Sequence, residues 1–195
     1  MANTDLIDAR KYKKDEFYTL YENIEKELKY YKTEFENKII YCNCDDFNKS
    51  NFFKYFYNNF KTLNLKQLIT TSYNKDGKGL FSTYDGNTLI TRELKGDGSF
   101  LSEESIILLK EADIIVTNPP FSLARDYINQ LTSFNKQFIM MGNINMITYQ
   151  DIFPLIINNK IWFGYKFNRY DEIRNTIPKR TSKYELNHMD NKCSK

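Results

Sequence analysis

Asp113-Ile114-Ile115-Val116-Thr117-Asn118-Pro119-Pro120-Phe121 decides how this chain is read. The apolar and β-branched run after Asp113 predicts a short strand buried on both faces. The strand must stop at Asn118. Each proline lacks an N–H, and each pushes the residue before it out of the helical region. A second run of the same kind, Lys38-Ile39-Ile40-Tyr41-Cys42-Asn43, ends in the polar cluster Asn43-Cys44-Asp45-Asp46. In open α/β sheets, ligands bind beyond the carboxyl ends of the strands, where the winding direction reverses. If these two strands are neighbours at that point, their loops face one crevice.

The pattern continues outward from both strands. Thr19-Leu20-Tyr21-Glu22 reads as a capping box, and Leu20, Ile24, Leu28, Tyr31 and Phe35 follow at helical spacing, predicting a helix over about 20–35. Ser50 is placed to cap a helix over about 51–61, and a strand is expected from Leu65 to Thr71. Asp85-Gly86-Asn87 between Gly79–Tyr84 and Thr88–Leu94 is a hairpin signal. Gly96-Asp97-Gly98 is a further turn, and Ser102 starts a helix to about Glu111. Beyond the Asn-Pro-Pro-Phe stretch come a helix from about Leu123 to Leu131 and a strand at Gln137–Met141. A helix from Thr148 and a strand at Lys160–Tyr165 complete the series. Strands joined by such long crossovers define an α/β class with a doubly wound, mostly parallel sheet. Periodicity fades after about Phe167, which divides the chain into a domain over 1–167 and a loosely structured basic tail over 168–195.

Composition narrows the function. Of 195 residues, 41% are hydrophobic and 16% aromatic, enough for one packed core. No apolar run approaches the roughly 20 residues a membrane helix needs. The start, Met1-Ala2-Asn3-Thr4-Asp5, has no secretory pattern, and three cysteines point to a reducing cytoplasm. Net charge is +3, but +4 of it falls between Arg174 and Lys195, leaving the body near neutral. Such a body has no strong salt-driven grip on nucleic acid. Cys42 and Cys44 are too closely spaced for a zinc site, and no metal is expected.

Asn-Pro-Pro-Phe at a strand end has a chemical meaning of its own. The loop is stiff, with exposed carbonyls and no competing donors. The Asn118 side-chain oxygen and the Pro119 carbonyl can both accept from one planar amino group, which keeps its nitrogen lone pair out of conjugation with the ring. Phe121 offers a face on which that ring stacks, worth roughly 1–3 kcal/mol per base.

The stretch from Asp113 to Phe121 resembles the catalytic motif of amino-group methyltransferases that use S-adenosylmethionine. With Lys14–Thr19, Tyr41–Asp46, Ser50–Phe53, Gly96–Phe100, Leu109–Asp113 and Met141–Asn143, the chain is similar to the EcoRI-type adenine-specific DNA methyltransferases. The resemblance implies a Rossmann-like methyltransferase fold and S-adenosyl-L-methionine as cofactor. Phe17, Tyr18, Thr19, Asn43, Asp45 and Asp97 match its cofactor-binding positions. Asn118, Pro119, Pro120 and Phe121 would hold an adenine flipped out of double-stranded DNA.

Departures from the family pattern are also visible. Asn43-Cys44-Asp45-Asp46 stands where methyltransferases have a glycine-rich loop, and Phe47 stands where the family pattern has proline. Thr71-Ser72-Tyr73-Asn74 offers no acid for ribose hydroxyls. Family enzymes continue past Ile161–Tyr165, so the sheet is expected to be incomplete at its C-terminal edge and open to self-association. The alternatives are a remnant that binds cofactor or DNA without catalysis or needs a partner chain, or a methyltransferase of RNA adenine or protein glutamine. Asp45 and Asp46 also have a plain use at a helix start, and Asp97 has one as a turn residue.

Overall fold

A computed structural model describes residues 19–165 and the backbone of Asn175–Thr176. The chain enters through α1 (Tyr21–Leu28), which tightens into a 3-10 turn over Lys29–Glu34 rather than continuing as one α-helix. The capping box does not form. Leu20, not Thr19, is the N-cap, and no side chain caps the helix. The Thr19 carbonyl instead accepts from Asn51 Nδ2 at 2.8 Å, which holds Thr19 against the next helix.

β1 (Ile39–Asn43) leads to α2 (Asn51–Asn58), then β2 (Gln67–Ser72). Ser50 caps α2 as expected, accepting from the Phe52 and Phe53 amides. The hairpin of β3 (Leu80–Tyr84) and β4 (Leu89–Glu93) follows. Its turn is made by Gly86 at φ 96° and by the Asp85 carboxylate accepting from Asn87 N and Thr88 N. α3 (Glu103–Glu111), β5 (Ile114–Thr117), α4 (Ala124–Ser133) and β6 (Gln137–Met140) complete the central part. A 3-10 turn fills Ile144–Thr148, and α5 (Phe153–Ile157) begins later than the sequence suggests. β7 (Trp162–Phe163) and β8 (Asn175–Thr176) close the described part.

These strands form one eight-stranded sheet in the order β4-β3-β2-β1-β5-β6-β8-β7. The central β2, β1, β5 and β6 are parallel. The β3–β4 hairpin extends one side antiparallel. On the other side β8 lies antiparallel between β6 and β7, so β7 itself runs in the direction of the central strands, as a crossover strand should, but with β8 inserted before it. At that C-terminal edge lies β7, two residues long. Apart from Asn175–Thr176, the expected tail lies outside the described residues.

Strand alternation builds a core on each face. Ile40, Cys42, Leu68, Ile114 and Val116 pack with α1 and α2, while Tyr41, Ile69, Ile115, Phe138 and Met140 pack with α3 and α4. α2 alone buries Phe52, Phe53, Tyr55 and Phe56, at roughly 1.5–3 kcal/mol for each large side chain. Buried Glu27 on α1 accepts the Tyr31 hydroxyl at 3.0 Å and the Tyr165 amide at 2.8 Å, tying the segment after β7 back to the first helix.

Three helical segments end alike. Asn64, Asn135 and Asn159 sit at φ 49°, 51° and 51°, and the next amide reaches back five residues: Leu65 to Phe60, Lys136 to Leu131, Lys160 to Leu155. This is the Schellman arrangement, with asparagine in the left-handed position. No helix among the described residues is long and apolar enough to cross a membrane.

Candidate functional site

The sheet reverses its winding between β1 and β5, so the Asn43–Asp46 and Asn118–Phe121 loops do emerge side by side. A cavity of about 410 Å³ opens between them.

The first wall is made by the turn after β1. Asn43 is fully buried, and its side-chain oxygen accepts from its neighbour Cys44 N at 2.8 Å and from the Thr71 hydroxyl at 2.9 Å. Cys44 adopts φ 65°, and Asp45 N returns to the Thr71 carbonyl at 3.0 Å. The turn thus presents Asp45 to the cavity, 7% exposed, with the Ser50 hydroxyl on Oδ1 at 2.6 Å and Thr117 Oγ1 2.9 Å from Oδ2. The Thr70 hydroxyl also meets the Asp45 carbonyl. Asp46 accepts from Asn48 N at 2.8 Å and bends the chain into α2.

A second wall comes from Ser72 and Tyr73 at the end of β2, with Asp97, Phe100 and Leu101 opposite in sequence but adjacent in space. The Asn74 amide donates to the Asp97 carbonyl at 2.8 Å, and the Asp97 side chain accepts from Ser99 N at 2.9 Å. Gly98, at φ 77°, packs so closely on the Ser72 carbonyl that a Cβ there would lie 2.2 Å from its oxygen. Glycine is required by both the backbone angle and the contact.

The third wall is Asn118 and Pro120, followed by Leu123 and Asp126 at the start of α4. The Leu123 amide closes the loop onto the Pro120 carbonyl at 2.9 Å. Behind it, the Tyr127 ring is fully buried, and its hydroxyl faces the Asn43 side chain. Burial pushes the Tyr127 and Tyr41 phenols and the Cys42 thiol well above their ordinary ranges.

The structure therefore brings Thr19, Asp45, Asp97, Asn118 and Pro120 to one cavity. Asn43 lies behind its wall rather than on it, and Pro119 and Phe121 adjoin Pro120 without lining it. Phe17 and Tyr18 lie outside the described residues. Ser72, Tyr73, Leu101 and Asp126 are additions. The first two follow from the carboxyl-end rule once β2 is recognised, whereas Leu101 and Asp126 have no local signal. Four acids, Asp45, Asp46, Asp97 and Asp126, line the cavity with Lys49, whose Nζ lies 4.0 Å from Asp46 Oδ2. Among the described residues, no group of three or more His, Cys, Asp or Glu could hold a metal ion.

A doubly wound sheet with an acidic cavity at its switch point and an Asn-Pro-Pro-Phe loop on one wall defines a Rossmann-like methyltransferase fold. The chain belongs to the EcoRI adenine-specific methyltransferase family, whose model matches residues 5–92 and 81–194. It is 48% identical over 186 residues to the type II methyltransferase M.EcoRI of Escherichia coli, covering 86% of this chain and 57% of that protein. It is 47% identical over 161 residues to M.MgeORF184P of Mycoplasma genitalium, covering 83% and 51%. It is 41% identical over 160 residues to M.MpnI of Mycoplasma pneumoniae, covering 82% and 50%. The chain thus spans about half the length of the curated relatives it matches. No solved structure gives a significant match.

Proposed function

We propose that this chain forms the catalytic unit of an S-adenosylmethionine-dependent methyltransferase acting on the exocyclic amino group of adenine in DNA, of the restriction-modification type. The observation that carries this reading is that one cavity joins Asn118 to Asp45 and Asp97.

The cavity suits the cofactor. Its volume of about 410 Å³ lies in the ordinary range for a small-molecule site. Its four acids complement a positively charged ligand, and the Thr19 hydroxyl oxygen is buried at its edge with no hydrogen-bond partner among the described residues. S-adenosylmethionine supplies, when bound, an activated methyl group on a positively charged sulfur. Thr19 and Asp45 would hold its amino-acid end and Asp97 its adenine end, with Phe17 and Tyr18 added on the resemblance alone. Asn43 would serve by shaping the turn that presents Asp45.

Asn118 and the Pro119 carbonyl would accept both hydrogens of the target amino group. Phe121 would stack on an adenine turned out of the duplex. Rate enhancement then rests on positioning and on acceptors fixed in advance, with no metal in the scheme. A second chain pairing along β4, exposed at all five residues, would complete the partners, and sedimentation of the purified chain tests this.

The deciding experiment is transfer of radiolabelled methyl groups to DNA, RNA and protein acceptors in parallel, with Asn118→Ala as control. Label on adenine of DNA only, abolished by the substitution, is expected. Cofactor binding with no transfer to any acceptor would reduce the chain to a binding unit that needs further sequence.

A further inference from the structure

Thr117 ends β5 and immediately precedes Asn118. The recorded β1–β5 ladder pairs Ile40 with Ile114 and Tyr41 with Ile115, then stops two residues short of Thr117. Beyond that point both strands run on into the loops that wall the cavity. The next tie between them is the fully buried Thr117 hydroxyl, which lies against the Asn43 carbonyl and 2.9 Å from Asp45 Oδ2. A hydroxyl has one hydrogen to give, and the carboxylate is the stronger acceptor. Asp45 is itself nearly buried, and the Ser50 and Thr117 hydroxyls stand one on each of its carboxylate oxygens.

We propose that Thr117 is a positioning residue that, through Asp45, locks the Asn118–Phe121 loop to the Cys44–Asp45 turn. What settles the cofactor end of the cavity then also fixes the acceptors for the amino group. The inference rests on the reading of the cavity given above, but the lock itself exists without ligand. Thr117 touches neither cofactor nor base in this scheme and acts only through the acid.

Amide hydrogen exchange on the ligand-free chain reads the lock directly. Thr117→Val, which keeps the shape and removes the donor, and Asp45→Asn should each speed exchange at Phe121, Ser122 and Leu123 by about tenfold. Thr117→Ser should restore protection, and the double variant should exchange no faster than Asp45→Asn alone. Unchanged exchange at these amides in Asp45→Asn, or fully additive effects, would overturn the proposal. Should Asp45→Asn fail to fold, Thr117→Val read at the amides of Asp45 and Asp46 decides in its place.

Calorimetric titration of the same chains with S-adenosylmethionine forms the second arm. Thr117→Val should weaken binding about tenfold and add nothing to Asp45→Asn. Equal binding by wild type and Thr117→Val overturns the lock alone. A wild type that binds no cofactor yet shows the exchange coupling supports the lock and counts against the cofactor reading.

Discussion

The Ser50 hydroxyl donates to Asp45 Oδ1 at 2.6 Å while its oxygen accepts from the Phe52 and Phe53 amides at 3.1 and 3.2 Å. One side chain therefore starts α2 and steadies an acid on the cavity wall. Ser50→Ala removes the cap, worth about 1 kcal/mol, and a hydrogen bond to a charged group, worth about 1.5–3 kcal/mol. A combined loss of roughly 2–4 kcal/mol is expected in urea unfolding, with weaker cofactor binding beside it. A loss below about 1 kcal/mol would show that Asp45 does not depend on Ser50.

Gly98→Ala should be far more damaging than Gly96→Ala. The first sets a Cβ 2.2 Å from the Ser72 carbonyl oxygen, a backbone atom, at a positive φ; the second meets nothing within 4 Å. Thermal melting should show Gly98→Ala losing more than about 2 kcal/mol and Gly96→Ala staying within about 1. Because Gly98 sets Asp97 on the cavity wall, cofactor affinity should fall with it. Equal melting temperatures for the two variants would remove this account of the turn.

Asn118→Ala separates the two halves of the cavity. Methyl transfer should fall by at least about a hundredfold, the scale for removing one preorganised polar group at a reacting centre. Cofactor affinity should stay within about threefold, because the acids on the other walls are untouched. A matching loss in both quantities would show that Asn118 belongs to the cofactor end.

Alkali should unfold the chain through its buried phenols. Burial, with the nearby Tyr21 and Glu25 charges, raises the Tyr55 phenol to about 12, and burial raises Tyr41 and Tyr127 as well. An unfolded tyrosine releases its proton near pH 10. The folded chain holds these protons longer, so their contribution is complete below about pH 10 and is lost as pH rises toward and beyond about 12. Circular dichroism and tyrosinate absorbance should therefore show a late, coincident transition. Full ionisation of every tyrosine with dichroism unchanged would contradict the burial.

Much of this arrangement is legible in residue order because backbone chemistry is local. The prolines after Asn118 end β5, Asp85-Gly86 turns the hairpin, and Ser50 and Ser102 start helices without help from distant contacts. Thr19 reads wrongly because Asn51, 32 positions away, takes its carbonyl. The insertion of β8 between β6 and β7 is invisible because a two-residue strand from beyond Phe167 carries no hydrophobic pattern of its own. The site divides the same way. The Asn118 loop has its meaning in four adjacent residues, whereas Asp97 is recognisable only by resemblance, since its approach to β2 depends on the hairpin and on Gly98. Asn43 has the right neighbours in sequence, yet its side chain turns inward to Thr71.

The asparagines that end three helical segments have a practical consequence. Left-handed backbone costs less for asparagine than for most residues, but glycine adopts it with no Cβ penalty at all. Substituting glycine at Asn64, Asn135 and Asn159 should gain up to roughly 1 kcal/mol each without touching either core or the cavity. Heat resistance in this chain has room to grow at the joints between its elements, a property that calorimetry on a triple variant would expose.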